Sequence, residues 1–245
     1  MKQLLTFILL LFTSSIVFSQ QIDSTFNDNV RIGATYSPDY CYRTLTTDEN
    51  INNQSIKEWR DSIEIPKFGY TTGITLFFPL SHRLSIETGV LFSKKGEKTK
   101  QIYMGFINSP GGTIQPMNIA YNYHYHYLDI PLKVNYYILK KPSIFLSGGI
   151  STNLFLQEKR TSITEHSDGS ITTNTALVNS EMNMINLAGI IGLGLEGEIL
   201  KIGASNALFR IEPIFRQSFI SIIDAPINGY SYSFGINFGI IYNLY

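Results

Sequence analysis

The side chains of this sequence that could do chemistry fall into two sets. Glu87, Asp129, Lys133, Arg210, Glu212 and Arg216 are charged residues lodged in segments that otherwise alternate apolar with small residues. His124, His126 and His166 are imidazoles in stretches rich in tyrosine and threonine. Charges withdrawn from water need partners, so the first set predicts a network of ion pairs, whose individual pairings the sequence does not specify. His124 and His126 stand two apart, so an extended backbone points both rings the same way, a spacing that suits a shared metal ion. No third ligand is identifiable, and neither a metal nor any other cofactor is assigned. The three histidines and several serines are also the raw material of a hydrolase. Nothing fixes their geometry, so no catalytic residue is assigned and a non-enzymatic role is expected.

The elements that position these groups are strands. Phe68, Tyr70, Thr72, Ile74, Leu76 and Phe78 alternate with Lys67, Gly69, Thr71, Gly73 and Thr75, and after a turn at Pro79 to His82 the pattern resumes from Leu84 to Ser93. A second hairpin covers Tyr127 to Ile138 and Ser143 to Gln157, turning at Lys140 to Pro142. A third runs from Ile185 to Leu195 and, beyond a turn near Lys201 to Ser205, from Phe209 to Arg216. The cleanest alternation is the last, from Ser231 to Leu244. A first strand lies around Arg31 to Ser37, ending where Pro38 would disrupt an interior ladder position.

These segments predict eight strands in an all-β, up-and-down antiparallel transmembrane β-barrel. The connections are unevenly sorted. Arg43 to Ile65, Gly96 to Ala120 and Glu158 to Glu181 are long and polar and fall at one end of the meander, whereas the tight turns fall at the other. Membrane barrels sort their loops in this way. Periodicity alone does not say which face meets lipid. The polar face mixes glycine, serine, threonine and asparagine with charges of both signs, which suits the narrow interior of an eight-stranded barrel better than a water-facing surface. Tyr36, Tyr70, Phe78, Phe92, Tyr136, Tyr232 and Tyr242 lie near strand ends, as interfacial girdles require.

The N-terminal region has the layout of a secretory signal peptide, with Lys2, an apolar run from Leu4 to Phe12 and a cut expected between Ser19 and Gln20. Residues 1–19 are therefore read as signal peptide and 20–245 as one outer-membrane barrel domain. Nineteen basic and nineteen acidic residues are interspersed, so a nucleic-acid partner is not expected. Cys41 is the single cysteine, so no internal disulfide can form. Tyr245 ends the chain, while Leu244 and Tyr242 carry the apolar parity that a barrel-assembly signal places on its last aromatic residue.

Tyr127-Leu128-Asp129-Ile130-Pro131-Leu132-Lys133 resembles the signature of the PorT-like outer-membrane β-barrel family, and Ile185 to Gly197 and Arg210 to Pro213 resemble its later strands. The resemblance implies a bacterial outer-membrane location, contact with outer-membrane lipids, and a structural role or one accessory to secretion or surface assembly. Partners would then meet the long loops, where Trp59, Phe106 and Gly111-Gly112 lie. Two other readings are a soluble exported barrel enclosing a ligand and a membrane-embedded hydrolase.

Overall fold

The computed structural model describes residues 29–48, 50–107, 114–140, 143–178, 182–202, 205–223 and 225–244, so residues 1–19, where a signal peptide is expected, lie outside the described residues. Eight strands form a closed ring: β1 (Arg31–Thr47), β2 (Glu64–Ser81), β3 (Leu84–Lys95), β6 (Ile114–Lys140), β7 (Ser143–His166), β9 (Ile185–Ile202), β10 (Ser205–Ser218) and β11 (Ile227–Asn243). Each pairs antiparallel with the next, and β11 closes the ring on β1, with Ile32 opposite Tyr242 and Thr47 opposite Ile227. Closure leaves the ring without a free edge. The expected all-β, up-and-down architecture of eight strands is the one observed.

β1 continues ten residues beyond the expected stop at Ser37. Pro38 retains its pairing with Tyr70 of β2, and the ladder to β11 is interrupted only between Tyr36–Phe238 and Asp39–Gly235. Pro131 likewise pairs with Ser151 while its β3 side is interrupted, and Pro213 pairs with Ile236 while its β9 side is interrupted. A proline lacks one donor, which weakens one side of a strand and leaves the other side intact.

The long connections carry more structure than their polarity suggests. The first contains α1 (Ile51–Ile63), capped by the Asn50 side chain, which accepts from the Asn52 amide. The second contains β4 (Glu97–Thr99), which follows a bend at Gly96, and β5 (Ile102–Ile107). Gly96 has φ of 134°, and a Cβ there would strike the Tyr123 carbonyl, so only glycine fits. β6 and β7 run on past the ring, flanked by β5 on one side and β8 (Ile171–Val178) on the other, making a four-stranded sheet at the long-loop end. The connection between β10 and β11 folds inward instead. Ile222 is buried against Tyr125 and Tyr127, and Met182 bridges to Ile223.

Candidate functional site

The parity of the ring decides which chemistry lies inside. Ile74, Val90, Leu132, Val134, Leu146, Ile150, Leu193, Ile236 and Phe238 are exposed on the outer wall, while Glu87, Asp129, Lys133, Asn135, Arg210, Glu212 and Asn237 are buried inside it. Tyr36, Tyr70 and Phe92 form a connected row outside, with ring centroids 6.2 Å apart at each step, and Tyr232 packs 5.9 Å from Tyr42. Phe78, Tyr136 and Tyr242 lie at the short-turn end, where Leu84 is opposite Tyr136 and Ile32 opposite Tyr242.

The interior is layered. At the short-turn end the Lys133 ammonium contacts Glu87 at 3.0 Å and Glu212 at 3.1 Å. Arg210 contacts Glu87 and Glu196 at 3.0 Å and Glu212 at 3.2 Å, and its guanidinium lies 3.9 Å from the Phe145 ring centroid. Glycine is required at 194 because any Cβ there would occupy the place of the Phe145 ring. Arg31 joins this layer through Glu196 at 3.1 Å and the Tyr137 hydroxyl at 2.9 Å, while Asn135 donates to Glu87 and Ser147 donates to Glu212.

Asp129 and Arg216 do not belong to that group. Asp129 pairs with Lys95 at 3.0 Å, and Arg216 with Asp39 at 2.8 Å, the latter carboxylate also accepting from Ser37 and Thr71. Between the layers a void of about 20 Å³, lined in part by Thr75, Glu87, Lys133 and Asn237, has room for a water molecule. At the long-loop end Arg43 grips Glu64 through two hydrogen bonds of 3.0 and 2.7 Å, contacts Glu97 at 2.9 Å and donates to the Tyr125 hydroxyl. Arg60 of α1 reaches the same Glu64 at 2.9 Å. Acids and bases are matched within every layer, as withdrawal from water demands.

Residues 18–224 match the family model described as an outer membrane protein beta-barrel domain. The chain belongs to that family. It is thus a bacterial outer-membrane barrel, its apolar wall facing lipid and its polar face lining the lumen. No curated protein matches it. Among solved structures it is similar to the attachment invasion locus protein Ail of Yersinia pestis, at 12% identity over 87% of this chain and 99% of that one, with a TM-score of 0.33. It is also similar to Neisserial surface protein A, at 9% identity over 86% and 96%, with a TM-score of 0.36. The translocator domain of the autotransporter NalP from Neisseria meningitidis matches at 9% identity over 99% and 98%, with a TM-score of 0.29.

The histidines of this outer-membrane barrel do not converge. His124 and His126 share the outer face of β6, where lysines surround them, and the Lys67 ammonium lies 2.6 Å from His124 Nδ1. His166 is seven residues farther along β7 than Lys159, the partner of His124, roughly 23 Å away at strand rise, and it contacts Thr172. Among the described residues no group of three or more His, Cys, Asp or Glu has an arrangement that could hold a metal ion.

Proposed function

We propose that this outer-membrane barrel is non-enzymatic, has a plugged polar lumen, and serves a structural role or one accessory to secretion or surface assembly through its long-loop face. Support comes from the buried Arg210, which meets three carboxylates in the short-turn half of the lumen. Eight strands leave an interior that side chains can fill, and breaking paired charges to admit water or ions would be costly. The inward-folded connection carrying Ile222 adds a second obstruction at the outer mouth.

The PorT-like resemblance fits the same reading. Within its motif Tyr127 is buried beneath the Lys95 ammonium, 5.3 Å from the ring centroid, and Asp129 holds that ammonium, so the motif builds part of the interior. The four-stranded sheet of β5 to β8 offers surface for assembly partners outside the membrane.

Reconstituted protein should give no steady conductance in a planar bilayer. Stable, ohmic single-channel steps from the wild type would overturn the plugged lumen and make the protein a small porin. Processing is testable separately: the protein recovered from carbonate-washed outer membranes should begin at Gln20, as read by N-terminal sequencing. A retained Met1 would remove the signal peptide from this reading.

A further inference from the structure

The outer wall carries a group of positive charges that the lumen does not use. On β6 the outward residues Ile138, Tyr136, Val134, Leu132, Ile130 and Leu128 are apolar, and ten residues of tilted strand cover about 25 Å, the height of a lipid-facing band. The next outward residues are His126 and His124. Lys94 of β3 is directly opposite His126, and Lys159 of β7 directly opposite His124. Lys98, on β4, faces outward two positions farther along, opposite Asn122. Lys67, Lys94 and Lys159 all act electrostatically on both imidazoles.

Lys94 and Lys159 flank the two imidazoles from opposite sides, and cations gathered on one face of a sheet repel one another unless something answers them. Nothing in the described protein does so. Among the described residues no ion pair reaches Lys94, Lys98 or Lys159, and the neighbouring acids Glu97, Asp129 and Glu158 are buried on the inward face. His126 is only 8% exposed, its ring stacked 5.7 Å from Phe92, and its Nδ1 has no hydrogen-bond partner. The cluster is local. Where the apolar faces of β1, β10 and β11 end on the long-loop side, the outward residues are Thr44, Gln217 and Tyr230, all uncharged.

We infer that Lys94 and Lys159, which flank the buried His126, form a docking site for the phosphate group of an outer-leaflet lipid, whose acyl chains lie along the wall below. Continuity with the lipid-facing wall selects a lipid over a soluble anion. Phe92 and Leu128 lie one outward step beneath Lys94 and His126, and Tyr70 is directly opposite Lys94, so one amphipathic molecule can satisfy both surfaces. Lysine supplies a mobile point charge for phosphate on a stem that packs along apolar surface. The site rests on the membrane location of the barrel and is independent of whether the lumen conducts.

The test uses the full chain folded in dodecyl-maltoside micelles, with phosphatidic acid or diacylglycerol added and retained lipid read by native mass spectrometry. Wild type should hold phosphatidic acid at least about tenfold more tightly than diacylglycerol. Lys94→Gln with Lys159→Gln should abolish that preference, whereas Lys57→Gln with Arg83→Gln, the same charge loss elsewhere, should keep it. Wild-type preference should also fall in 1 M salt, a measurement that needs no variant. Equal retention of the two lipids by wild type, unchanged preference in the Lys94/Lys159 variant, or inorganic phosphate bound as tightly as phosphatidic acid would each overturn the assignment.

Discussion

Replacing Arg210 with methionine should cost about 3–5 kcal/mol of folding stability, the scale expected when one member of a buried ion network is removed. Arg210 lies in the lumen with 2% of its side chain exposed, and it donates to Glu196, Glu87, Glu212 and the side-chain amide oxygen of Asn135. Methionine retains much of the stem and its contact with Phe145 while removing the charge. Glu87, Glu196 and Glu212 would then share only Lys133 and Arg31, leaving one negative charge unanswered in a confined space. Urea titration of folding into phosphatidylcholine vesicles, followed by heat-modifiable gel migration, measures the loss. Adding Glu87→Gln to the variant removes the carboxylate that would otherwise share Lys133 with Glu212, leaves Glu196 on Arg31, and should restore part of the stability, a coupling that a double-mutant cycle isolates. A loss below about 1 kcal/mol would place Arg210 among solvent-screened pairs and argue for a wet, open lumen.

Period-two alternation identified the eight strands and the residues lining the lumen, because a strand with one face in lipid and one in a crowded interior must change character at every step. The same rule located Glu87, Lys133, Arg210 and Glu212 together. It stopped short at the strand ends. Asp39 and Arg43 keep the inward parity of Thr35 and Ser37, but the expected stop at Pro38 hid them, although that proline breaks only one of its two ladders. Lys95 continues the parity of Ser93, and Glu97 follows across the Gly96 bend. Extending the alternation through both points would have found the partners of Arg216 and Asp129. The partner choice itself is not a sequence property, since it depends on which strands the ring brings face to face across the lumen. The extra strands β5 and β8 were hidden for a different reason. In β8 threonine and asparagine predominate and the strand is exposed along its length, so no apolar face marks it, whereas β5 is apolar or glycine at every position and has no polar face to alternate with.

Arginine at Leu132 should destabilise the membrane-folded barrel by about 2–4 kcal/mol, since Leu132 lies near the middle of the apolar band on β6. The cost should fall toward both edges. Arginine at Ile138 or Leu128 should lose no more than about 1 kcal/mol, because a long cationic side chain there reaches the head groups. Leu132 is 53% exposed and its outward neighbours across the strands are Thr88 and Ile150, so the substitution opens no cavity and breaks no ion pair. The loss therefore reports the solvent outside the wall. Ile236 on β11 gives an independent copy of the test, with Pro213 opposite it. Arginine at Asn237 probes the other face, where the side chain must enter a lumen already holding Thr35 and Glu212. Its cost arises from crowding and should not depend on the lipid, whereas the cost at Leu132 should shrink when the barrel is folded in short-chain detergent whose thin micelle lets the guanidinium reach water. Urea titrations of these variants in vesicles and in micelles separate the two origins. A Leu132→Arg variant as stable as wild type in vesicles would mean that the exposed apolar wall faces water, and the lipid-facing assignment of every outward residue would fail with it.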